Sequence, residues 1–418
     1  MQNKNNKHTM YECDSKNTDN NVRHQRRSVG HRNGGVIVLT VFTFIIVVIA
    51  LGILFLRYYR PDVDRIPGFD TGNNVFKDTE TVDSENSENS NSGSSSQYKR
   101  RDGVYNFLFI AKDHVAENTD VIMVISFDTV NSDLSVLQIP RDTYIEYNNS
   151  GRRINYLYSS LHSEAKNSGE KNSVNVALEK LSEIVEKNMC IEIDYHILID
   201  LEGFASIVDA IGGVEMDVPY DLNYSDPDQG LYINISKGHQ VLDGNKAEQF
   251  VRFRSDFVEG DIGRVDAQKI FISAFLRQLK ESFSLKTIPA LVGSVFNCLV
   301  DTNISLADAV FFAKNVLSVE LENASFVTLP GCSARANIDS GAWYYIMSRT
   351  DTLKVINEYV NVYDKDIESH LFDRYHVFSS GDPHIDEIYL AEEGKYYRNV
   401  YNAEDINNSP PVIPGSKQ

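Results

Sequence analysis

The chain has 418 residues, enough for one large domain or two small ones with tails. Hydrophobic residues make up 42% of it, which suffices for a globular core. Its 40 basic and 59 acidic side chains give a net charge of −19, which argues against nucleic acid as the main partner because phosphate binding needs a basic surface.

An uncharged apolar run occupies Val36–Leu56. A helix of that length spans about 30 Å, the thickness of a bilayer core, and the run is longer than the apolar part of a cleavable signal peptide. Residues 1–33 carry seven basic and three acidic side chains, and basic residues favour the cytoplasmic side. We therefore predict a cytoplasmic basic head over 1–33 and one transmembrane helix over 34–57. A buried helix of a soluble domain is the alternative.

The segment after the predicted membrane helix is polar. Residues 79–97 contain a single apolar residue, so they cannot bury surface. We predict a flexible extracellular linker over 58–98, a catalytic domain over 99–365 and a C-terminal extension over 366–418. The tail from about Ala403 is expected to be disordered.

Within the predicted domain, short apolar runs alternate with amphipathic stretches. The predicted strands are Tyr105–Ala111, Val121–Phe127, Leu134–Ile139 and Tyr195–Asp200. Three helices are predicted. The first is capped by Ser173 and runs through Val185, and the second is Gly203–Ile211, which ends at Gly212-Gly213. The third is Ile262–Lys280. This alternation predicts the α/β fold class, with a sheet covered by helices.

The four cysteines form no CxxC pair, which disfavours a zinc or redox motif. Three of them, Cys190, Cys298 and Cys332, lie in the predicted external part. A disulfide between Cys298 and Cys332 and buried thiols are both open, and buried thiols are favoured.

Several arginines have a spacing that suits phosphate binding. Arg252 and Arg254 share a face if the chain is extended there, and Arg264 and Gln268 share a helix face. Arg141 follows a predicted strand in the sequence IPRD. Arginine binds phosphate oxygens through two hydrogen bonds and stays charged.

A structural role for the later arginines is the alternative. Arg252, Arg254 and Arg264 would then pair with nearby carboxylates, namely Asp256, Glu259 and Asp261.

Two carboxylates lie where one predicted strand ends and the next begins. Asp113 and Asp120 at such positions could coordinate a hard divalent cation through oxygen, and capping of turns is the alternative role. Asp142, beside Arg141, is expected to orient that arginine.

Four segments, taken in this order and spacing, carry a resemblance to a known family. They are NFLFIAKDH with NTDVIMVISFD, then LQIPRDTYIE, then VDAIGGVEMDVP, then KGHQVLDGNKAEQFVRFRSDFVEGDIGRVDAQK. They resemble the LytR-CpsA-Psr family of Gram-positive cell envelopes, from about Tyr105 to Gln278 and weakly onward to the TLPG at Thr328–Gly331.

The resemblance implies a fold and an activity. The implied fold is an α/β/α sandwich with a central mixed sheet and a hydrophobic tunnel for a lipid. The implied activity is that of a membrane-anchored phosphotransferase, whose catalytic domain lies outside the cell membrane. It moves an anionic glycopolymer, such as a teichoic acid or a capsular polysaccharide, from a polyprenyl-pyrophosphate carrier onto peptidoglycan, with Mg²⁺ or a similar divalent cation.

The resemblance also implies residue roles. The expected catalytic residues are Arg141, Arg252, Arg254, Asp261 and Arg264. The expected substrate-binding residues are Arg141, Arg252, Arg254, Arg264 and Gln268. The expected metal ligands are Asp113 and Asp120. Asp261 is the expected base, with a helix N-cap role as the alternative.

The chain departs from the family pattern at three places where many members carry a basic residue. These places hold Asn118, His114-Val115 and Ala267. The departures remove positive charge from the implied pyrophosphate site. They leave open a non-catalytic or regulatory, attenuator-type membrane protein, or a pyrophosphatase that hydrolyses the lipid-linked precursor.

A cluster of aromatic residues lies near the end of the predicted domain. Trp343, Tyr344 and Tyr345 could stack on sugars, and packing in the core or on the surface is the commoner role of such residues.

Overall fold

The computed structural model describes residues 59–61, 98–113, 117–148, 150–227, 231–253, 261–335, 343–375 and 400–408. The chain divides into two units, Met1–Tyr59 and Arg60–Gln418, and every element described below belongs to the second. The predicted membrane helix and basic head lie outside the described residues, as does most of the predicted linker. None of the helices in the described ranges has the length and apolar character that a bilayer crossing requires.

The strands of the described residues form one large sheet and four hairpin-like pairs. They are β1 (Val104–Lys112), β2 (Thr119–Asp128), β3 (Asp133–Gln138), β4 (Tyr144–Tyr147), β5 (Ser150–Arg153), β6 (Tyr195–Asp200), β7 (Val214–Val218), β8 (Leu222–Asp226), β9 (Leu231–Ile235), β10 (Gly238–Leu242), β11 (Leu299–Thr302), β12 (Ala324–Thr328), β13 (Gly331–Arg335), β14 (Trp343–Met347) and β15 (Val400–Asn402). The four predicted strands agree with β1, β2, β3 and β6 within two residues at either end.

The large sheet is mixed, as the family resemblance implies. In the described residues its order is β11-β6-β1-β2-β3-β12-β15. The pairs β1–β6 and β3–β12 are parallel, and the other four pairs are antiparallel. Because β1, β3, β6 and β12 all run in one direction, their carboxyl ends lie at the same edge of the sheet.

The helices cover both faces of this sheet. They are α1 (Leu157–Asn167), α2 (Ser173–Met189), α3 (Leu201–Ala210), α4 (Gly244–Arg252), α5 (Asp261–Ser282), α6 (Ile288–Phe296), α7 (Leu306–Val316), α8 (Arg349–Val355), α9 (Ser369–Tyr375) and α10 (Ala403–Asn408). The predicted helix Ile262–Lys280 corresponds to α5 and Gly203–Ile211 to α3.

Alternation along β1 separates two cores. Leu108 and Ile110 point to one face, where they join buried residues of α1, α2, α8 and α9. Phe107 and Phe109 point to the other face, where they pack with residues of α3, α4, α5 and α7. We call these the α1–α2 face and the α5 face. The two cores, one on each side of the sheet, make the domain an α/β/α sandwich.

Some local expectations about the helices need correction. Ser173 is the first residue of α2 rather than its cap, and the capping residue Asn172 makes no side-chain cap bond. The end of α3 is as predicted, since Gly212 and Gly213 adopt positive φ angles of 86° and 90° there. The three described cysteines are thiols, so Cys298 and Cys332 do not form a disulfide.

The C-terminal extension contributes ordered structure to the domain. The disorder expected from about Ala403 is wrong for 403–408, because α10 buries Ala403 and Ile406 in the α5 core. Strand β15 pairs with β12 at the edge of the sheet. Tyr401 places its ring 5.0 Å from the ammonium group of the fully buried Lys269. The extension therefore packs directly on α5.

Candidate active site

The candidate site lies at the sheet edge where β1 and β3 end and β2 begins. Asp113 immediately follows β1, and Asp120 is the second residue of β2, so the two carboxylates flank one turn as predicted. The backbone N–H of Asp113 donates to the carbonyl of Asn118 at 2.9 Å, which closes this turn. Arg141 follows β3 at the same edge.

Asp120 is the centre of the arrangement. Its Oδ1 accepts a hydrogen bond from Nη1 of Arg141 at 2.7 Å and lies 3.7 Å from Nη1 of Arg264. The Asp120 backbone carbonyl accepts a further bond from Nη2 of Arg264 at 3.3 Å. The Asp120 carboxylate is thus approached by two guanidinium groups. Guanidinium groups placed in this way are also the groups that bind phosphate oxygens through paired hydrogen bonds.

Arg264 is the more deeply placed of the two arginines. It lies in the first turns of α5, with 3% of its surface exposed. A buried cation is costly unless it is paired and hydrogen-bonded, and both conditions are met through Asp120. Arg141 and Asp120 keep 24% and 35% of their side chains exposed. In this cluster, Arg141 and Asp120 are therefore partly exposed to solvent, whereas Arg264 on α5 is buried.

Gln268 lies one helical turn after Arg264, on the same buried face of α5, as the spacing predicted. Its Oε1 accepts a hydrogen bond from Nε2 of Gln138 at 2.8 Å, and its Nε2 donates to the carbonyl of Val251 at 3.4 Å. The helix that carries Arg264 is thereby bonded to the end of β3 and to α4. Gln138 is a residue that the sequence analysis missed. The sequence signal for it is an amide side chain near the end of the predicted strand Leu134–Ile139.

The turn that carries Arg141 is held by its own hydrogen bonds. The N–H and hydroxyl of Thr143 both donate to the carbonyl of Pro140, at 3.0 and 2.6 Å. The carbonyl of Arg141 accepts from the N–H of Asn155 at 3.1 Å. The Asp142 carboxylate, expected to orient Arg141, lies 3.4 Å from Nη1 of Arg153. A carboxylate that does accept a hydrogen bond from Arg141 is that of Asp120.

Arg252 lies at the end of a helix. It is the last residue of α4, not part of an extended segment, and its Nη1 bonds Glu248 one turn earlier at 2.7 Å. An extended chain was the condition under which Arg252 and Arg254 would share a face, and Arg252 instead lies one helical turn after Glu248. The partner Glu248 differs from all three carboxylates considered as alternatives.

Two predicted site residues lie wholly or partly outside the described residues. Arg254 lies outside the described residues. Asp261 is the first residue of α5, but its side chain is outside the described part. Its backbone lies at the start of the helix that carries Arg264.

Glu117, between Asp113 and Asp120 in the chain, is bonded to α1. Glu117 adopts a positive φ of 51°, and its carboxylate bonds Nδ1 of His162 at 2.9 Å. This hydrogen bond is the main reason why the pKa of Glu117 lies below its usual value. Lys112 lies 3.6 Å from the other carboxylate oxygen. Glu117 therefore contacts both His162 of α1 and Lys112 of β1, next to Asn118, where many family members carry an arginine.

The donor set is compatible with a magnesium ion that the substrate helps to bind. In the described ranges, no group of three or more His, Cys, Asp or Glu side chains is arranged to hold a metal ion. Mg²⁺ commonly takes only one or two carboxylates from the protein and fills its other positions with water and phosphate oxygens. Asp120, with its partly exposed carboxylate, and Asp113 fit that pattern.

The sequence matches a known family and curated relatives. The profile of the LytR_cpsA_psr family matches residues 70–361. A polyisoprenyl-teichoic acid–peptidoglycan teichoic acid transferase TagU of Bacillus anthracis is 30% identical over 243 residues, which is 57% of this chain and 72% of that protein. The corresponding transferase TagV of Bacillus subtilis (strain 168) is 28% identical over 196 residues. That second match spans 46% of this chain and only 46% of the length of TagV.

Solved structures show the same fold. The crystal structure of Bacillus subtilis TagV aligns with a TM-score of 0.51 at 21% identity, over 66% of this chain and 98% of that chain. The structure of a protein described as a transcriptional regulator from Enterococcus faecalis aligns with a TM-score of 0.52 at 18% identity, over 67% of this chain and 95% of that chain. The sequence match and the shared α/β fold agree, and the chain belongs to the LytR_cpsA_psr family.

Proposed function

We propose that this protein is a membrane-anchored phosphotransferase that moves a polyprenyl-pyrophosphate-linked anionic glycopolymer onto peptidoglycan. The observation that carries the proposal is that Arg141 and Arg264, 123 residues apart in the chain, both approach the carboxylate of Asp120, at 2.7 and 3.7 Å. Membership of the family, and relatives named as teichoic acid transferases acting on peptidoglycan, support this class of donor and acceptor.

The reaction is a substitution at phosphorus. An acceptor hydroxyl of peptidoglycan attacks the phosphorus that carries the polymer, and a new P–O bond forms. The P–O bond to the lipid phosphate breaks, and polyprenyl monophosphate leaves with the bonding electrons. Asp261 takes up the hydroxyl proton in this proposal. Arg141 and Arg264 offset the charge of the pyrophosphate, and they offset it more strongly as charge builds on the leaving phosphate.

The same edge supplies the residues for a divalent cation. Asp113 and Asp120 would hold it, and when bound it would neutralise charge on the pyrophosphate oxygens. Asp120 would then serve two purposes, because its carboxylate also fixes the guanidinium group of Arg141. Arg252 and Arg254 are proposed to bind oxygens of the pyrophosphate. Gln268 is proposed to hold α5 against β3 through its hydrogen bond with Gln138.

The α5 face is the proposed place for the lipid. Its core is rich in aromatic rings, with Phe312 in edge-to-face contact with Phe107 at 4.8 Å and with Tyr105 at 5.0 Å. Arg264 lies on the helix that covers this face. A prenyl chain inserted between α5 and the sheet would therefore bring its pyrophosphate to Arg264.

The direct test is transfer by the purified full-length protein in detergent micelles. The donor is a radiolabelled teichoic-acid polymer on polyprenyl pyrophosphate, and the acceptor is uncrosslinked peptidoglycan. We expect label on the peptidoglycan and one polyprenyl monophosphate released for each polymer attached. Release at the same rate without acceptor would instead identify a pyrophosphatase. Neither release nor transfer, from a protein that binds the donor, would identify a regulatory protein.

The proposed topology places the N-terminus in the cytoplasm and the domain outside. It rests on the uncharged run Val36–Leu56 with its basic head. Protease added to intact cells without a wall should remove a tag placed at the C-terminus, while a tag at the N-terminus should be protected. Protection of the C-terminal tag would reverse this topology.

A further inference from the structure

The residues just before Asp120 are attached to one short part of the chain at the start of α1. Nδ1 of His162, in α1, lies 2.9 Å from Oε2 of Glu117, which precedes Asp120 by three residues. The hydroxyl of Thr119, directly before Asp120, donates to the carbonyl of Asn155 at 3.4 Å. Two side-chain contacts with the region of α1 therefore precede Asp120 in the chain.

The same part of the chain also contacts Arg141. The N–H of Asn155 donates to the carbonyl of Arg141 at 3.1 Å, and the side chain of Arg141 donates to Asp120 at 2.7 Å. The helix α1 is itself fixed in the α1–α2 core, where Leu157 and Tyr158 are fully buried. A helix that carries none of the predicted site residues thus supports two of them.

The backbone of Glu117 has a conformation that depends on such support. Its φ of 51° lies in the left-handed region, which costs free energy for a residue with a side chain and persists where the surrounding contacts fix it. Both carboxylate oxygens of Glu117 have a contact, Oε2 with His162 and Oε1 with Nζ of Lys112 at 3.6 Å. These contacts hold the chain in this conformation three residues before Asp120.

The imidazole of His162 makes two separable contacts. An ionised carboxylate only accepts hydrogen bonds, so Nδ1 carries the hydrogen that is donated to Glu117. This bond is the main reason why the pKa of the Glu117 carboxyl is lowered, which keeps it ionised at neutral pH. The imidazole also stacks on the ring of Tyr158, with the ring centres 5.8 Å apart and the planes 19° apart.

We propose that His162 is a positioning residue for the metal site, which acts through Glu117 to hold Asp120 where its carboxylate can coordinate a divalent cation. The role rests on the function proposed above, in which Asp120 binds the ion. Groups that orient metal ligands typically change the metal affinity by about 10–100-fold when they are replaced. Because His162 acts through the backbone between Glu117 and Asp120, we expect an effect near the lower end of that range.

The test measures the affinity for Mn²⁺ in the presence of inorganic pyrophosphate, by electron paramagnetic resonance of the full-length protein in detergent micelles. His162→Ala should weaken the affinity about tenfold. His162→Asn should restore most of it, because the amide nitrogen of asparagine takes about the place of Nδ1 and donates to Glu117. His162→Phe keeps a ring that stacks on Tyr158 but has no donor, so it should bind Mn²⁺ as weakly as His162→Ala.

A second histidine–glutamate pair provides the matched control. His239, in β10, bonds Glu215 through Nε2 at 2.7 Å, and His239→Ala should leave the Mn²⁺ affinity unchanged. All affinities are compared per folded molecule, with the folded fraction taken from circular dichroism of the same samples.

The variants separate a positioning role from packing alone. The positioning role is overturned if no His162 variant loses affinity, if His162→Phe restores it, or if His162→Asn does not. It is also overturned if the unchanged protein binds no Mn²⁺. In each of these cases, polymer transfer by the unchanged protein would leave the proposed function standing. The expected order of affinities in a protein without transfer would support the positioning role and contradict the proposed function.

Discussion

Replacing Arg264 with lysine is expected to lower the rate of polymer transfer by about one to three orders of magnitude, the range seen when one preorganised donor is lost from a charged transition state. Lysine keeps the positive charge but loses the planar fork that reaches both the carboxylate and the carbonyl of Asp120. Because the residue is buried, some thermal stability will also be lost. The quantity to compare is therefore the transfer rate per folded molecule, with the folded fraction taken from a melting curve of the same sample.

Arg277 provides a matched control on the same helix. Its Nη2 donates to the backbone carbonyl of Glu215 at 2.7 Å, at the other end of α5 from Arg264. Arg277→Lys should leave the transfer rate per folded molecule unchanged. If Arg264→Lys melts at a lower temperature but keeps its rate per folded molecule, Arg264 supports the fold and has no part in the transfer chemistry.

Changing Asp113 and Asp120 to asparagine is expected to abolish the magnesium dependence of donor cleavage, and the two single changes should differ in stability. Asp113→Asn alters a partly exposed residue and should lower the free energy of unfolding less than Asp120→Asn does. Asp120→Asn removes a charge that both Arg141 and Arg264 approach, and should cost about 1–3 kcal/mol because the buried guanidinium group loses an ionic partner.

Metal binding is measured separately from activity. Electron paramagnetic resonance of Mn²⁺ with inorganic pyrophosphate reports the affinity of the ion in each variant. Both single variants should bind Mn²⁺ more weakly than the unchanged protein. Asp217→Asn, at a side chain that is 68% exposed on β7, should bind it normally. Unchanged Mn²⁺ affinity and an unchanged magnesium response in the double variant would show that Asp113 and Asp120 do not bind the metal ion.

The sequence predicted the fold where signals are local. The strands β1, β2, β3 and β6 are short apolar runs between polar residues, and α5 has a long helical pattern, so each was visible within its own window. The positions of Asp113 and Asp120 followed from where these strands end. The family resemblance then supplied the mixed sheet, which no local pattern contains.

Contacts between distant segments could not be read from the sequence. Asp120 and Arg264 are 144 residues apart, and Gln138 and Gln268 are 130 apart, so no spacing rule links either pair. Strand β15 was missed because three residues at a sheet edge, far along the chain from their partner β12, leave only a weak pattern. Arg252 is the last residue of α4, where the i, i+4 spacing pairs it with Glu248.

The central claim is that the Asp120 cluster is the place where the pyrophosphate is bound and cleaved. A crystal structure of the protein with a short-chain polyprenyl-pyrophosphate-linked sugar tests it most directly. We predict pyrophosphate oxygens within about 3 Å of the guanidinium nitrogens of both Arg141 and Arg264, with the prenyl chain on the α5 face. A pyrophosphate bound elsewhere, with Arg141 and Arg264 still contacting only protein groups, would contradict the claim.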